Sequence, residues 1–103
     1  MTTAIAINGA SGRMGRALVQ ACMENEATSL VAALVRSGSE FEGSDAGTVS
    51  GIAPANVSML SDRSQLPNDV NVWLDFTLPE GLMDALGYCV ANNIPMVIGT
   101  TGL

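Results

Sequence analysis

The stretch that most constrains this chain is Asn8-Gly9-Ala10-Ser11-Gly12-Arg13-Met14-Gly15, which follows the apolar run Ala4-Ile5-Ala6-Ile7 without a break. An unbroken apolar run reads as a strand buried on both faces. A strand that enters a glycine-rich turn and leaves it as a helix has the layout of a dinucleotide-binding fingerprint. Each glycine has a physical task. Gly9 leaves the strand in a tight turn. Gly12 presents bare backbone, so a pyrophosphate can come close. Gly15 lets the helix lie close on its own strand. The first N–H groups of that helix lack partners within it and sit at the positive end of its dipole, which favours an anion. The spacing is G-x-x-G-x-x-G, whereas the usual register would begin at Ala10, so an ordinary βα turn also accounts for the glycines taken alone.

The flanking sequence narrows the choice. The first strand is expected over Thr3 to Asn8 and the first helix from Gly12 to Asn25, with Met14, Ala17, Leu18, Ala21 and Cys22 as its apolar stripe. Leu30 to Val35 is a second continuous apolar run and completes a βαβ unit. Val57 to Leu60 reads as a short third strand, and Ser61 as the cap of a short helix ending near Leu66. Asn71 to Phe76 is the fourth strand. Thr77 and Glu80 form a capping box for a helix whose stripe is Leu82, Ala85, Leu86, Cys89 and Val90. Pro95 to Ile98 is the last strand, followed by Gly99-Thr100-Thr101-Gly102. Between Gly38 and Ala55 the chain is rich in Gly, Ser and acidic residues and reads as a long irregular loop.

The resulting class is α/β, a Rossmann-like doubly wound parallel sheet forming one domain over residues 1–103. In such a sheet the functional edge lies at the carboxyl ends of the strands. The glycine turn, Arg36, Asp75-Phe76-Thr77 and Gly99-Thr100-Thr101 are all expected there. Phe76 suits packing against a cofactor or plain core, and Asp75 suits holding a loop more than catalysis.

Charge sharpens the reading. The net charge is −6, which argues against nucleic acid or an anionic membrane as partner. The only cations are Arg13, Arg16, Arg36 and Arg63, two of them in or beside the glycine turn. Arg36 ends the second strand, where an acidic residue would bind the ribose 2′-hydroxyl of NAD. A guanidinium with Ser37 and Ser39 nearby suits the 2′-phosphate of NADP instead, although a solvated arginine also fits a strand end. The chain has no His, which excludes a Ser-His or Cys-His nucleophilic pair, and its two distant cysteines lack zinc-ligand spacing. Cys22 and Cys89 read as buried thiols of a reducing compartment. No apolar run approaches the ~20 residues of a membrane span, and no signal peptide is read, so a cytoplasmic location is expected.

Three segments together resemble one family. Gly9-Ala10-Ser11-Gly12-Arg13-Met14-Gly15-Arg16, Asp75-Phe76-Thr77 with Pro79-Glu80-Gly81, and Val97-Ile98-Gly99-Thr100-Thr101-Gly102 look like the amino-terminal part of dihydrodipicolinate reductase. Gly43-Ser44-Asp45-Ala46-Gly47 is also similar. The resemblance implies an enzyme of the diaminopimelate and lysine pathway. It reduces the cyclic imine dicarboxylate made by dihydrodipicolinate synthase, with NADPH or NADH. It implies that Gly9 to Met14 hold the pyrophosphate and that Arg36 meets the 2′-phosphate. Gly99, Thr100 and Thr101 would lie beside the nicotinamide, with Thr101 helping to hold a substrate carboxylate. Members that use NADH well often carry an acidic residue before the arginine. Here it is Val35, so NADPH is the expected cofactor and NADH the alternative.

The family's second domain carries paired histidines, a lysine and most tetramer contacts. The chain therefore reads as a truncated cofactor-binding part, lacking the last strands of its sheet, without catalytic residues of its own and inactive alone. The competing readings are another NADP-linked dehydrogenase, acting on a semialdehyde or amino acid, and a non-enzymatic redox-sensing nucleotide module.

Overall fold

The computed structural model describes residues 2–77 and 79–99. The elements run β1 (Thr3–Asn8), α1 (Arg13–Glu24), β2 (Thr28–Leu34), α2 (Ala46–Val49), β3 (Met59–Leu60), a 3-10 turn (Arg63–Gln65), β4 (Val72–Asp75), α3 (Pro79–Ala91) and β5 (Met96–Ile98). The strands form one parallel sheet in the order β3-β2-β1-β4-β5. The chain thus builds outward from β1 through β2 to β3, then returns to the other side of β1 for β4 and β5. This is the doubly wound Rossmann-like arrangement, and its direction of winding reverses between β1 and β4.

Alternation along β1 divides the core into two layers. Ile5 and Ile7 face one side with Val19 and Cys22 of α1, Leu30, Ala33, Val35 and Met59. Ala6 faces the other with Ala32, Leu34, Leu66, Trp73 and two residues of α3, Ala85 and Cys89. Successive strand side chains point to opposite faces, so an apolar run with no polar gap serves both layers. Both cysteines are free and buried, and burial raises each thiol, Cys89 to about 11.

Several local expectations are corrected. The buried face of α1 is Gly15, Val19 and Cys22, with Leu18 half-buried, while Met14, Ala17 and Ala21 are exposed. The helix is rolled by nearly one residue's angular step of about 100° from the apolar stripe. Gly15 seats directly on the turn, and that contact, invisible to a hydropathy pattern, selects the face. In α3, Leu82, Ala85 and Cys89 are buried, but Leu86 and Val90 are exposed. They lie on the flank beyond β5, the outermost strand, where among the described residues nothing covers them.

The segment expected to be irregular is instead ordered by one carboxylate. Asp45 caps α2 and accepts hydrogen bonds from the N–H groups of Thr48, Ala55 and Val57 at 2.9, 2.9 and 3.1 Å. It also makes an antiparallel bridge with Ser58. These N–H groups, Thr48 and Ala55 foremost, hold its carboxyl at about 2. After β3 the cap is Asp62, not Ser61, because its side chain accepts from the Ser64 N–H at 2.9 Å. Thr77 and Glu80 do not make the expected capping box: the Thr77 N–H and hydroxyl both donate to Asp75, and Leu78 between them lies outside the described residues.

Candidate dinucleotide-binding site

Because every strand is parallel, the segments that leave β1, β2, β4 and β5 share one edge of the sheet. The glycine turn stands at its centre. Gly9 has φ +81°, a left-handed conformation that an L side chain rarely adopts. The N–H groups of Gly9 and Ala10 both donate to the Leu34 carbonyl at 3.0 Å, and Gly12 donates to Gly9 at 3.1 Å. These bonds pin the turn to the end of β2. They leave the N–H groups of Arg13, Met14 and Gly15 with no hydrogen-bond acceptor among the described residues. Gly12 is the N-cap of α1, and no side chain caps the helix. Most helices satisfy such donors with a Ser, Thr or Asp oxygen. Here they remain available at the positive end of a twelve-residue helix, with Gly12 exposed beside them.

The turn also meets the far side of the sheet. A Cβ at Gly9 would lie 3.0 Å from the Phe76 carbonyl oxygen, so the β1 and β4 exits touch where the winding reverses. A Cβ at Gly15 would collide with the Gly9 carbonyl oxygen and lie 2.7 and 2.8 Å from Ala10 backbone atoms. A Cβ at Gly12 would meet only the Gly9 oxygen, at 3.4 Å. Gly9 and Gly15 are thus required by packing within the chain, whereas Gly12 faces open space.

Asp75 holds the neighbouring exit together. It is fully buried, and its register partner in β1 is Asn8. One carboxylate oxygen accepts from Asn8 Nδ2 and from Trp73 Nε1, both at 3.0 Å. The other accepts from the Thr77 N–H at 3.0 Å and the Thr77 hydroxyl at 2.6 Å. Burial pushes this carboxyl upward, but the donors from Thr77, Trp73 and Asn8 together outweigh it and hold the group below its usual value. Asp75 is therefore an anion enclosed by four donors and carries no proton to give. Its main-chain carbonyl accepts from the Gly99 N–H at 2.8 Å, which ties the β5 exit to the same point. The Phe76 ring lies so close over Gly99 that a Cβ there would overlap it.

A family model described as dihydrodipicolinate reductase, N-terminus, matches residues 3–103. The chain belongs to the dihydrodipicolinate reductase family. Among solved structures, it is similar to a dipicolinate-bound dihydrodipicolinate reductase from Paenisporosarcina sp. TG-14. The identity is 32% and the TM-score 0.73, over 100% of this chain and 39% of that one. It also superposes on an aspartate semialdehyde dehydrogenase II from Vibrio cholerae, complexed with ASA. There the identity is 15% and the TM-score 0.75, over 98% of this chain and 31% of that one. The second likeness is one of fold alone. The chain spans about two-fifths of the length of the reductase it matches. What it matches is the NAD(P)-binding domain of a reductase family, and the resemblance read in the three motifs is that of the family it belongs to.

The reductase fold brings most of the expected residues to one edge. Gly9 to Gly15, Arg36, Phe76, Thr77 and Gly99 all follow carboxyl ends of adjacent strands. Arg13 and Arg36 are exposed and form no ion pair among the described residues, whereas Arg63 pairs with Asp84 in the middle of α3. Thr77 donates its hydroxyl proton to Asp75, so toward a ligand it offers only acceptor lone pairs. Thr100 and Thr101 lie outside the described residues. Asn8 and Arg16, which the motifs include without a task, and Phe41, which they do not include, are structural neighbours of the site. Their sequence signals were a polar residue ending an apolar strand, a cation beside the glycine turn, and a lone aromatic in a polar loop. No group of metal-binding side chains occurs among the described residues. No helix among them is long and apolar enough to cross a membrane.

Proposed function

We propose that residues 1–103 form the domain that binds NADPH, with NADH as a weaker alternative, in an enzyme that reduces a cyclic imine dicarboxylate. The observation that carries this reading is the set of unpartnered N–H groups of Arg13, Met14 and Gly15, presented over bare Gly12 where the sheet reverses its winding. This donor set fits a pyrophosphate, because three first-turn N–H groups of one helix lack acceptors and no carboxylate of the turn caps them. When bound, the nicotinamide supplies the hydride, while the protein supplies orientation and electrostatics.

The chain's own residues then have separate tasks. Gly9 to Gly15 with the Arg13 charge hold the pyrophosphate. Arg36, free of any ion pair among the described residues, meets the 2′-phosphate. Phe76, Thr77 and Gly99, locked together through Asp75, form the floor of the nicotinamide end, which Thr100 and Thr101 complete. Thr101 is the residue of this chain assigned to a substrate carboxylate. The dipicolinate bound by the Paenisporosarcina relative is a cyclic dicarboxylate, which supports that substrate class. The chain has neither His nor Lys, and its best-held carboxylate is buried and anionic. The proton that accompanies the hydride is therefore assigned to residues outside these 103, as is assembly into a tetramer.

Calorimetric titration of the chain with NADPH and with NADH, alongside Arg36→Ala, tests this reading. Tighter binding of NADPH, with the difference abolished in the variant, is the expected outcome. Equal affinities in the folded wild type refute the role of Arg36 but not that of the glycine turn. Absence of binding by a folded chain refutes the dinucleotide reading for residues 1–103.

A further inference from the structure

Arg16 is one turn into α1, and its side chain makes two contacts in different directions. Its Nε–H donates to the Ser11 carbonyl at 2.8 Å, across the inside of the glycine turn. Its guanidinium carbon lies 5.1 Å from the centre of the Phe41 ring. The ring is half-buried against the core layer beneath α1. Phe41 belongs to the segment that begins at Arg36, and that segment is a succession of tight turns. Ser39 N–H donates to the Arg36 carbonyl at 3.1 Å, Phe41 N–H to Ser39 Oγ at 3.1 Å, and Glu42 N–H to the Ser39 carbonyl at 3.2 Å. Gly43 N–H then anchors the segment to Met59 at 2.8 Å. Arg36 itself is exposed, and the last strand residue before it is Leu34. Val35 before it is buried and donates its N–H to the Leu60 carbonyl at 2.8 Å, which fixes the main chain entering Arg36, while the run of turns and what it is fastened to set the course of the chain leaving it.

We propose that Arg16 and Phe41 form a clamp that fixes the distance between the glycine turn and Arg36, and so determines the preference for the 2′-phosphorylated cofactor. The inference rests on the assignment of those two elements to the pyrophosphate and the 2′-phosphate. Its physical basis is covalent. The ribose 2′-position and the pyrophosphate are parts of one nucleotide, so their separation is limited, and a protein that grips both must hold its two grips at a matching separation. A cofactor with a free 2′-hydroxyl does not engage Arg36 and is insensitive to where Arg36 stands. Loosening the clamp therefore weakens NADPH while leaving NADH nearly unchanged. Arg16 and Phe41 are positioning residues, acting through Ser11 on one side and Arg36 on the other.

The test uses Phe41→Leu, which keeps an apolar side chain but removes the aromatic face, and Phe41→Tyr, which keeps that face. NADPH and NADH affinities are measured by calorimetry for each, with thermal unfolding alongside. The expected result for Phe41→Leu is a fall of roughly three- to ten-fold in the NADPH-to-NADH affinity ratio, the size of a partly desolvated cation–π contact. Phe41→Tyr restores the ratio. In an Arg36→Ala background Phe41→Leu has no further effect on it, because the two residues act on one contact. An unchanged ratio in Phe41→Leu, or equal losses for both cofactors, overturns the clamp and leaves the assignment of Arg36 standing. A wild-type ratio near one overturns Arg36 and the clamp together. No binding of either cofactor overturns the dinucleotide reading and with it the clamp.

Discussion

At two helical glycines, Gly15 of α1 and Gly87 of α3, the same substitution is expected to move stability in opposite directions. Replacing a helix-interior glycine by alanine gains roughly 0.5–1 kcal/mol in propensity and unfolded-state entropy. At Gly87 in α3 nothing lies within 4 Å of an added Cβ, so the gain is realised in full. At Gly15 in α1 the added methyl meets the Gly9 carbonyl and two Ala10 backbone atoms at 2.7 and 2.8 Å. These are backbone atoms held by the turn's hydrogen bonds, so the clash is relieved only by lifting α1 off β1. Overpacking of this kind costs about 3 kcal/mol at the upper end of its usual range. The net for Gly15→Ala is then a loss of about 2 kcal/mol, or roughly 10 °C in Tm for a domain of this size. Gly87→Ala should rise by about 4 °C. Thermal unfolding followed by circular dichroism measures both. A Gly15→Ala chain as stable as wild type would show that the turn yields freely, and the close seating of α1 would lose its role in shaping the site.

Gly12→Ala separates function from folding. Its φ of −75° accepts alanine and its nearest contact is an ordinary 3.4 Å, so stability should stay within about 0.5 kcal/mol while NADPH affinity falls at least about tenfold. Asp75→Asn places an amide N–H₂ against donors and leaves at least one buried donor without a partner, at a cost of about 2 kcal/mol. The emission of Trp73, whose indole donates to Asp75, should shift with it. Both Asp75 and Asp45 sit below the usual 3.8 in the folded chain, Asp45 at about 2. Their stabilisation is complete above pH 4 and disappears as pH falls through the folded values, and Asp45→Asn should make the acid limb of a stability–pH profile shallower. Val97 lies exposed on the outer edge strand, and Val97→Lys should lower any concentration-dependent association seen by analytical ultracentrifugation.

Residues near one another in sequence were legible without the structure. The bounds of β1 and the start of α1 follow from an apolar run, a glycine turn and an amphipathic segment, all set by interactions within a few residues. Parallel pairing follows as well, because unbroken apolar strands separated by helices can bury both faces only in a layered α/β sheet. The edge on which the glycine turn, Arg36, Phe76 and Gly99 gather is a consequence of that parallelism.

What the tertiary structure decided depends on contacts the chain makes at long range or through groups that carry no hydropathy. The face of α1 was chosen by Gly15, which scores as nothing in a periodicity yet permits the closest approach. The carboxylate of Asp75 receives a bond from Asn8, 67 residues earlier, and no local pattern encodes that meeting. The same holds for Asp45, which collects N–H groups up to twelve residues downstream and converts a polar, glycine-rich stretch into fixed structure. Arg16 over Phe41 is a contact between a helix and the loop that follows the next strand. Local sequence sets which segments are strands and helices because their energetics are local. The placement of side chains around the site is set by packing and long-range hydrogen bonds, and these exist only once the sheet has brought the segments together.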